Sequence, residues 1–577
     1  MEASPFQLPA RTPFRLFERF AEQLTGLSRL DAYYRAQPAD LDTAEFLRYT
    51  LDVLGIDAHI ASGSVGNLPE KGPLVIIANH PLGAADGVIL AELILKVRPD
   101  LKILANRFLA RIKELAPLFI DVDVFSPSGK TNLKATRAAL NHLKQGGVLL
   151  LFPAGEVSSY DAEGTLTDCA WHRSVSRLIR KSQADVLPIF IQGQNSKPFY
   201  WAGKIHPRLR TVLLGRELLN KRAQHIRLAI GQPIPFRELS HMTTDQQTLD
   251  YLRLNTYLLA PGAPHHAPVL TNAEPIDPPT DPRLLQTELS LLDDECHLIR
   301  FKQFDVYCTD APSIPHLLQE IGRIRETNFR QVNEGTGKSC DLDNYDANYQ
   351  HLFVWDREEN RLVGAYRLGL TDQILASSGV TGLYSNSLFH YDESLIHQFG
   401  HAIELGRSVI DAPYQRDLHA LQLLWKGIAT YVSRHPHYTH LFGPVSISSE
   451  YSPLARQLII STLQEHHFDH DAAKLVRAKT PPGQHNRSLW RPDMLSALAN
   501  TQLLSKLLIR LGQASVPILL KQYLNLNGKL ISFNLDKDFN DALDGLIVVH
   551  LPQVPQRTLA KYMGKPEAAQ YLHKHQP

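Results

Sequence analysis

The chain has 577 residues, more than one ordinary domain holds, and its 44% apolar and 21% charged residues are globular proportions. Its 60 Lys and Arg against 59 Asp and Glu leave a net charge of +1, so no global positive field marks it for nucleic acid. The four cysteines, Cys169, Cys296, Cys308 and Cys340, are scattered without a CxxC pair, which argues against a disulfide frame or a zinc knuckle and fits a reducing compartment.

Met1-Glu2-Ala3-Ser4-Pro5 lacks the basic start and apolar core of a signal peptide, and no apolar run approaches a membrane span. Residues 1–50 form a helical segment in which Phe14, Leu16, Phe17, Phe20 and Leu24 alternate with Arg11, Arg15 and Arg19. This pattern suits either an amphipathic helix on a membrane surface or a helix packed on the first domain. From 51 to 259 short apolar strands alternate with helices, the pattern of an α/β domain. Strands are expected at Leu74–Ala78, Lys102–Ala105, Gly147–Phe152, Val186–Gln192 and Ile226–Ile230, with helices at Val88–Lys96, Asn132–Lys144 and Ser174–Lys181. Residues 260–297 are rich in proline and mark a linker. A second α/β or α+β domain follows over 298–564, with a tail at 565–577. Its expected elements are a helix over Ile321–Phe329, strands at His351–Asp356, Leu362–Leu368 and Ile403–Ser408, a helix over Leu418–Arg434, and strands at Leu441–Ile447 and Gly545–His550.

In the first domain the strand Leu74–Ala78 runs into Asn79-His80-Pro81-Leu82-Gly83-Ala84-Ala85-Asp86. A histidine leaving a strand and a carboxylate entering the next helix are the parts of a general base working near neutral pH. Three further blocks follow in order: Phe119-Ile120, then Phe152-Pro153-Ala154-Gly155-Glu156-Val157, then Val186-Leu187-Pro188-Ile189-Phe190. Together they resemble the glycerolipid acyltransferases of the lysophosphatidate type over about Val53 to Pro235. The resemblance implies that His80 deprotonates an acceptor hydroxyl and that Asp86 orients it. Asn79, Gly155 and Glu156 are then expected at the substrate, with backbone N–H groups near Gly155 facing the oxyanion. Two departures matter. The acid stands six positions after the histidine rather than five, so the pair meets only if the helix starts beyond Pro81 and Gly83. The two family arginines that hold a phosphate are replaced, by Asp121 after Phe119-Ile120 and by Val157 after Glu156. Lys130, Lys134 and Arg137 are candidate substitutes, but the simpler expectation is an acceptor without a phosphomonoester.

In the second domain, Asn348 to Trp355, Val363 to Leu368, Glu404-Leu405-Gly406-Arg407-Ser408-Val409, Leu441 to Ile447 and Pro517 to Leu524 resemble the ornithine N-acyltransferases. These are a GNAT-type branch related to acyl-homoserine-lactone synthases, and the resemblance spans about Leu298 to Gly564. It implies a GNAT-like fold, with Glu404 accepting the amine proton and Arg407 and Tyr414 at the substrate. The glycine loop that cradles coenzyme A pyrophosphate is missing after Val409, so the expected donor is acyl carrier protein, with acyl-coenzyme A the lesser choice. Arg407, Arg416, Lys426 and Arg434 are candidate contacts for that acidic partner. Gly335-Thr336-Gly337-Lys338-Ser339 is no P-loop, because Val332 stands where its first glycine belongs. The run His466-His467-Phe468-Asp469-His470-Asp471 sits in a polar loop setting, and no metal or bound cofactor is expected.

The two domains together resemble the bifunctional ornithine-lipid synthases. The resemblance implies N-acylation of ornithine with a 3-hydroxyacyl chain in the second domain, then O-acylation of the resulting lyso-ornithine lipid in the first. It places the protein in the bacterial cytoplasm or peripherally on the inner face of the inner membrane, with a lipid surface as partner. The alternatives are a glycine-type aminolipid synthase, a lysophospholipid acyltransferase, and a non-enzymatic, haemolysin-like membrane-active protein.

Overall fold

The computed structural model describes residues 5–6, 25–106, 111–122, 129–162, 164–205, 207–221, 224–260, 273–483 and 489–575. The chain divides into two compact units, the first made of 1–263 with 487–511, the second of 264–486 with 512–577. The first unit's strands are β1 (Asp57–Ser62), β2 (Leu74–Ala78), β3 (Leu101–Asn106), β4 (Phe119–Val122), β5 (Val148–Leu151), β6 (Ser159–Tyr160), β7 (Leu166–Thr167), β8 (Asp185–Gln192) and β9 (His225–Ile230). Seven of them form one sheet in the order β1-β9-β8-β2-β5-β3-β4, parallel except where β9 turns back on β8. Every residue of β2 is buried, as a parallel strand covered on both faces requires. Being central, between β5 and β8, β2 delivers its following loop to the carboxyl edge of the sheet, where crevices form in open α/β sheets.

The second unit contains β10 (His297–Phe301), β11 (Phe304–Asp310), β12 (Gln350–Asp356), β13 (Arg361–Leu370), β14 (Phe389–Tyr391), β15 (Ala402–Ile410), β16 (His440–Ile447), β17 (Val476–Ala478), β18 (Lys529–Asp536) and β19 (Ala542–His550). Its eight-stranded sheet runs β10-β11-β12-β13-β15-β16-β19-β18. All neighbours are antiparallel except β15 and β16, which pair in parallel over Ala402–Glu404 and His440–Phe442 only. Beyond that they part. Gly443 makes the parting possible: a Cβ there would stand 2.1 Å from the Leu405 carbonyl oxygen. The long helix Leu418–Arg434 connects the two strands, a crossover that a parallel pair demands.

Two expectations about domain organisation are corrected. The stretch 260–297 is not all linker, because Pro282–Leu291 is a helix with proline in its first turn and Leu285 buried in the second unit's core. The expected domain at 298–564 is interrupted, because 487–511 leaves it for the first unit. There Arg510, in the helix Thr501–Arg510, donates to Glu238 at 2.7 Å and to the Tyr251 hydroxyl at 3.0 Å. The segment 7–24, holding most of the amphipathic pattern, lies outside the described residues. Among the described residues no helix is long and apolar enough to cross a membrane.

Candidate active sites

In the first unit, β2 ends at Ala78 and Asn79 locks the exit. Its side-chain amide donates to Ile191 O at 2.9 Å, and its carbonyl accepts from Ile191 N at 2.7 Å, so it continues the β2–β8 pairing through a side chain. Asn79 is therefore a buried clamp, with both polar atoms spent on backbone, and not the substrate contact expected. His80 follows, 18% exposed, and its Nδ1 lies 2.9 Å from Oδ2 of Asp86, which is fully buried. The six-residue spacing works because Pro81-Leu82-Gly83 is a loop and the helix begins at Ala84. Gly83 holds φ +77°, and a Cβ on it would press 2.8 Å from Leu214 Cδ2, so the turn belongs to glycine.

Asp86 Oδ2 also accepts from Leu82 N at 2.9 Å and Gly83 N at 3.0 Å. The carboxylate thus caps its own helix while facing the imidazole. Burial raises the Asp86 carboxyl above its ordinary range, and the bonds from His80, Leu82 and Gly83 work against that rise. With Nδ1 committed to Asp86, Nε2 is the His80 atom left for a substrate proton. The ring is held flat against Phe152, centroids 4.1 Å apart, at the end of β5.

A second carboxylate, absent from the expectations, fixes the backbone of the same residue. Asp168 Oδ1 accepts from His80 N at 3.2 Å and from the Ser158 hydroxyl at 2.6 Å, while Trp171 donates to Oδ2 at 3.1 Å. Ser158 N donates to His80 O at 2.8 Å. Asp168 lies in Thr167-Asp168-Cys169-Ala170-Trp171, outside any strand or helix period, so nothing in the sequence singled it out.

The turn Phe152 to Val157 does less than expected at one position and more at another. Gly155 N donates to Phe152 O at 2.9 Å, so that N–H closes the turn and is not free for an oxyanion. Glu156, 48% exposed, accepts from Arg210 at 2.5 Å. Arg210 comes from the helix Pro207–Leu219, which carried no motif. Lys221, almost fully buried, donates to Gln194 O at 2.9 Å with Glu217 at 3.8 Å. Each of these two cations therefore has its own carboxylate. Of the proposed phosphate substitutes, Lys134 and Arg137 are exposed on the helix Gly129–Lys144; the side chains of Lys130 and Asp121 lie outside the described residues.

In the second unit Glu404 is 1% exposed on β15. Its Oε2 accepts from the Tyr349 hydroxyl and from Tyr384 N at 3.1 Å, and Oε1 accepts from Ser385 N at 2.7 Å. It anchors the turn Tyr384–Ser387 and does not stand open to take a proton, which corrects its expected role. Arg407 sits on a bulge of β15 with φ +49°, a conformation that re-aims its side chain. Its guanidinium lies 4.8 Å from the centroid of Tyr384 and 4.5 Å from that of Phe539, with Asp341 at 3.2 Å and Asp343 at 3.4 Å. These are loose ion pairs, well beyond the 2.7–2.9 Å of tight charge-assisted bonds. Tyr414, expected beside it, donates to Asp356 at 3.0 Å, by the β12–β13 turn, and the structure does not bring it to Arg407.

On the other side of β16, Ser446 donates to Asp544 of the paired strand β19 at 2.6 Å. Asp544 is buried, and burial together with the neighbouring Asp536 pushes its carboxyl up to about 8. Glu334 is likewise pushed up to about 7 by burial and by Asp536 and Glu450. A carboxylate whose affinity for protons lies near neutrality is what a general base requires. The sequence signal was there: Asp544 is an acid opening the apolar run Gly545-Leu546-Ile547-Val548-Val549. The helix Leu418–Arg434, which follows β15, has its N-terminus filled by its own chain, because Asp417 accepts from His419 N at 2.7 Å. A pyrophosphate would meet that carboxylate instead of free N–H groups. Of the cations expected to meet a carrier protein, Arg434 is spent on Glu295 O and His297 O, at 2.9 and 3.0 Å, whereas Arg416 is exposed.

Residues 31–263 match the family model described as acyltransferase, and residues 324–426 match the acetyltransferase (GNAT) domain. The chain is an acyltransferase. It is similar to a glycine N(alpha)-acyltransferase of Bacteroides thetaiotaomicron, 28% identical over 299 residues, which are 49% of this chain and 87% of that protein. A protein of the same name from Phocaeicola vulgatus is 31% identical over 222 residues, 36% of this chain and 66% of its own. A lyso-glycine lipid O-acyltransferase of Phocaeicola vulgatus is 28% identical over 225 residues, 37% of this chain and 77% of its own. The first acyltransferase match contains His80, Asp86, Asp168 and Arg210, and the GNAT match contains Glu404 and Arg407 and ends before Asp544.

Proposed function

We propose that this acyltransferase makes an acylated amino-acid lipid in two steps, N-acylation in the second unit followed by O-acylation in the first, with ornithine as the amino acid. The observation that carries the reading is the His80–Asp86 pair, its acid fully buried and its imidazole partly exposed, at the carboxyl end of the central strand β2. In the second unit Arg407 holds the amino-acid carboxylate. Asp544, in its ionised form, takes the proton as the α-amine attacks the thioester carbonyl of a 3-hydroxyacyl donor, and returns it to the departing thiolate. An amine with pKa of about 8 is partly neutral at pH 7, so placement and one acceptor suffice. In the first unit His80 Nε2 takes the proton of the new 3-hydroxyl, and Asp86 stabilises the imidazolium. The oxygen attacks a second acyl thioester, and His80 returns the proton to the departing thiolate.

Ornithine is supported twice. The acids Asp536 and Asp544 near Arg407 suit a substrate bearing one carboxylate and two amines. The Arg210–Glu156 pair offers both charges to a zwitterionic head group, whereas N-acylglycine carries only a carboxylate. The capped helix after β15 supports acyl carrier protein over coenzyme A as donor. Trp201, 67% exposed on the helix Lys197–Ile205 next to Tyr200, supports a lipid surface as partner. Glycine is the second reading, favoured by the names of the similar proteins. Lipid mass spectrometry of a heterologous host fed ¹⁵N-ornithine or ¹⁵N-glycine tests the choice. Label from ornithine in a new diacylated lipid is expected; label from glycine alone overturns ornithine and leaves the two-step scheme standing.

A further inference from the structure

Three strands that are neighbours in the second unit's sheet, β13, β15 and β16, each bring one metal-competent side chain to the same end. Asp372 stands in the first turn of the helix Thr371–Ser378, which begins where β13 ends. His401 immediately precedes β15, and His437 lies just ahead of β16. The ladder sets them together, since Leu370 pairs with Ile403 and Ala402 with His440. Their ligand atoms all lie within 4.8 Å of one another, and His401 Nδ1 stands 3.7 Å from Asp372 Oδ2. Ligand atoms around a tetrahedral zinc are about 3.4 Å apart, so closing the set asks only for small rotations of two exposed rings. Among the described residues no other group of three or more His, Cys, Asp or Glu meets this spacing.

The surroundings are those of a site held in place. Tyr438 donates to the second carboxylate oxygen of Asp372 at 2.9 Å, the kind of outer bond that orients a ligating carboxylate. The His437 ring packs on Tyr438 at 4.2 Å, and His401 meets His437 edge-on at 5.1 Å. The backbone is tied on both sides: Ala402 N donates to the Thr371 hydroxyl at 2.8 Å, and Thr439 N to His401 O at 3.0 Å. The acyl-transfer scheme uses none of the three side chains, and the run His466 to His470 contributes none of them.

We propose that Asp372, His401 and His437 form a binding site for a divalent transition ion, zinc by its two nitrogens and one oxygen, with water completing the coordination. The site lies at the start of the parallel pair β15 and β16, whose pairing ends at Glu404 and Phe442. A bound ion braces β13, β15 and β16 at that end of the sheet, so it stabilises the strand that carries Glu404 and Arg407 without touching substrate.

The test uses the full chain, free of any histidine tag and stripped with EDTA, titrated with Zn²⁺ by calorimetry and with Co²⁺ by visible absorption. One ion per chain is expected, with the visible bands of four- or five-coordinate cobalt and a zinc-dependent rise in Tm. His401→Ala/His437→Ala loses all three signals, Asp372→Asn loses the cobalt bands, and Tyr438→Phe weakens binding about 10-fold. Equal unfolding curves in EDTA show that the variants fold. The proposal is overturned if the double variant binds with wild-type stoichiometry and affinity, or if the unmodified chain binds neither ion below millimolar concentration.

Discussion

Asp86 illustrates how one buried oxygen sets a reaction. Its Oδ2 gathers Leu82 N, Gly83 N and His80 Nδ1, so the acid is positioned by the helix it caps. In Asp86→Asn the amide oxygen in the place of Oδ2 keeps both backbone donors and the Nδ1 proton, but not the negative charge that stabilises the imidazolium. His80 becomes a weaker base with its ring still held. O-acylation is expected to fall by about 10²- to 10⁴-fold with the fold retained, the range that positioned proton transfer contributes. Lyso-lipid acylation by the purified variant, set beside its urea unfolding curve, checks this. The pair was legible in the sequence because both residues sit at element ends, where a strand break and a helix start can be read from Pro81 and Gly83. Asn79 and Glu404 are the opposite case. Each looks like a functional polar residue in a sequence, and only the coordinates show that its atoms are spent on Ile191 or on Tyr349, Tyr384 and Ser385.

At the scale of elements, β15 and β16 part after three parallel pairs, and Asp544 lies on β19, the strand on the far side of β16. Because burial raises Asp544 to about 8, the folded chain holds a proton that the unfolded chain loses near pH 4. Between about pH 4 and about pH 8 the native state binds more protons than the unfolded state, so this residue lowers stability as pH rises. Asp544→Asn should flatten that part of the profile and be more stable than the unmodified chain at pH 8, while N-acylation falls by about 10²-fold or more. Urea unfolding across the pH range and an amide-forming assay read the two effects separately; a profile with unchanged slope would contradict the assignment. Strand positions here were legible from apolar runs such as Leu441 to Ile447. The parting was not, since it depends on Gly443 meeting the Leu405 carbonyl, a contact between segments far apart in sequence.

At the scale of the whole molecule, the chain does not divide where its composition changes. The proline-rich stretch marks one boundary, but 487–511 returns to the first unit, and no local pattern announces it. Its hold is the Arg510–Glu238–Tyr251 cluster. Arg510→Ala leaves Glu238 with the Tyr251 hydroxyl and the looser Lys506 at 3.5 Å, and the first unit should lose about 2 kcal/mol, measured by chemical denaturation. Glu238 is held below the usual carboxylate range, burial opposing and Arg510 more than offsetting it. The stabilisation is therefore present at neutral pH and lost as pH falls through the low folded value. In the proposed two-step scheme, carrying both sites on one chain would raise the effective concentration of one for the product of the other.

The scheme stands on His80 ionising an alcohol that the second unit has just delivered. The most direct measurement is the lipid profile of a heterologous host expressing His80→Ala beside the unmodified chain. Accumulation of the mono-acylated amino lipid with loss of the diacylated form is the result predicted. Unchanged diacylated lipid from the His80→Ala chain would contradict it.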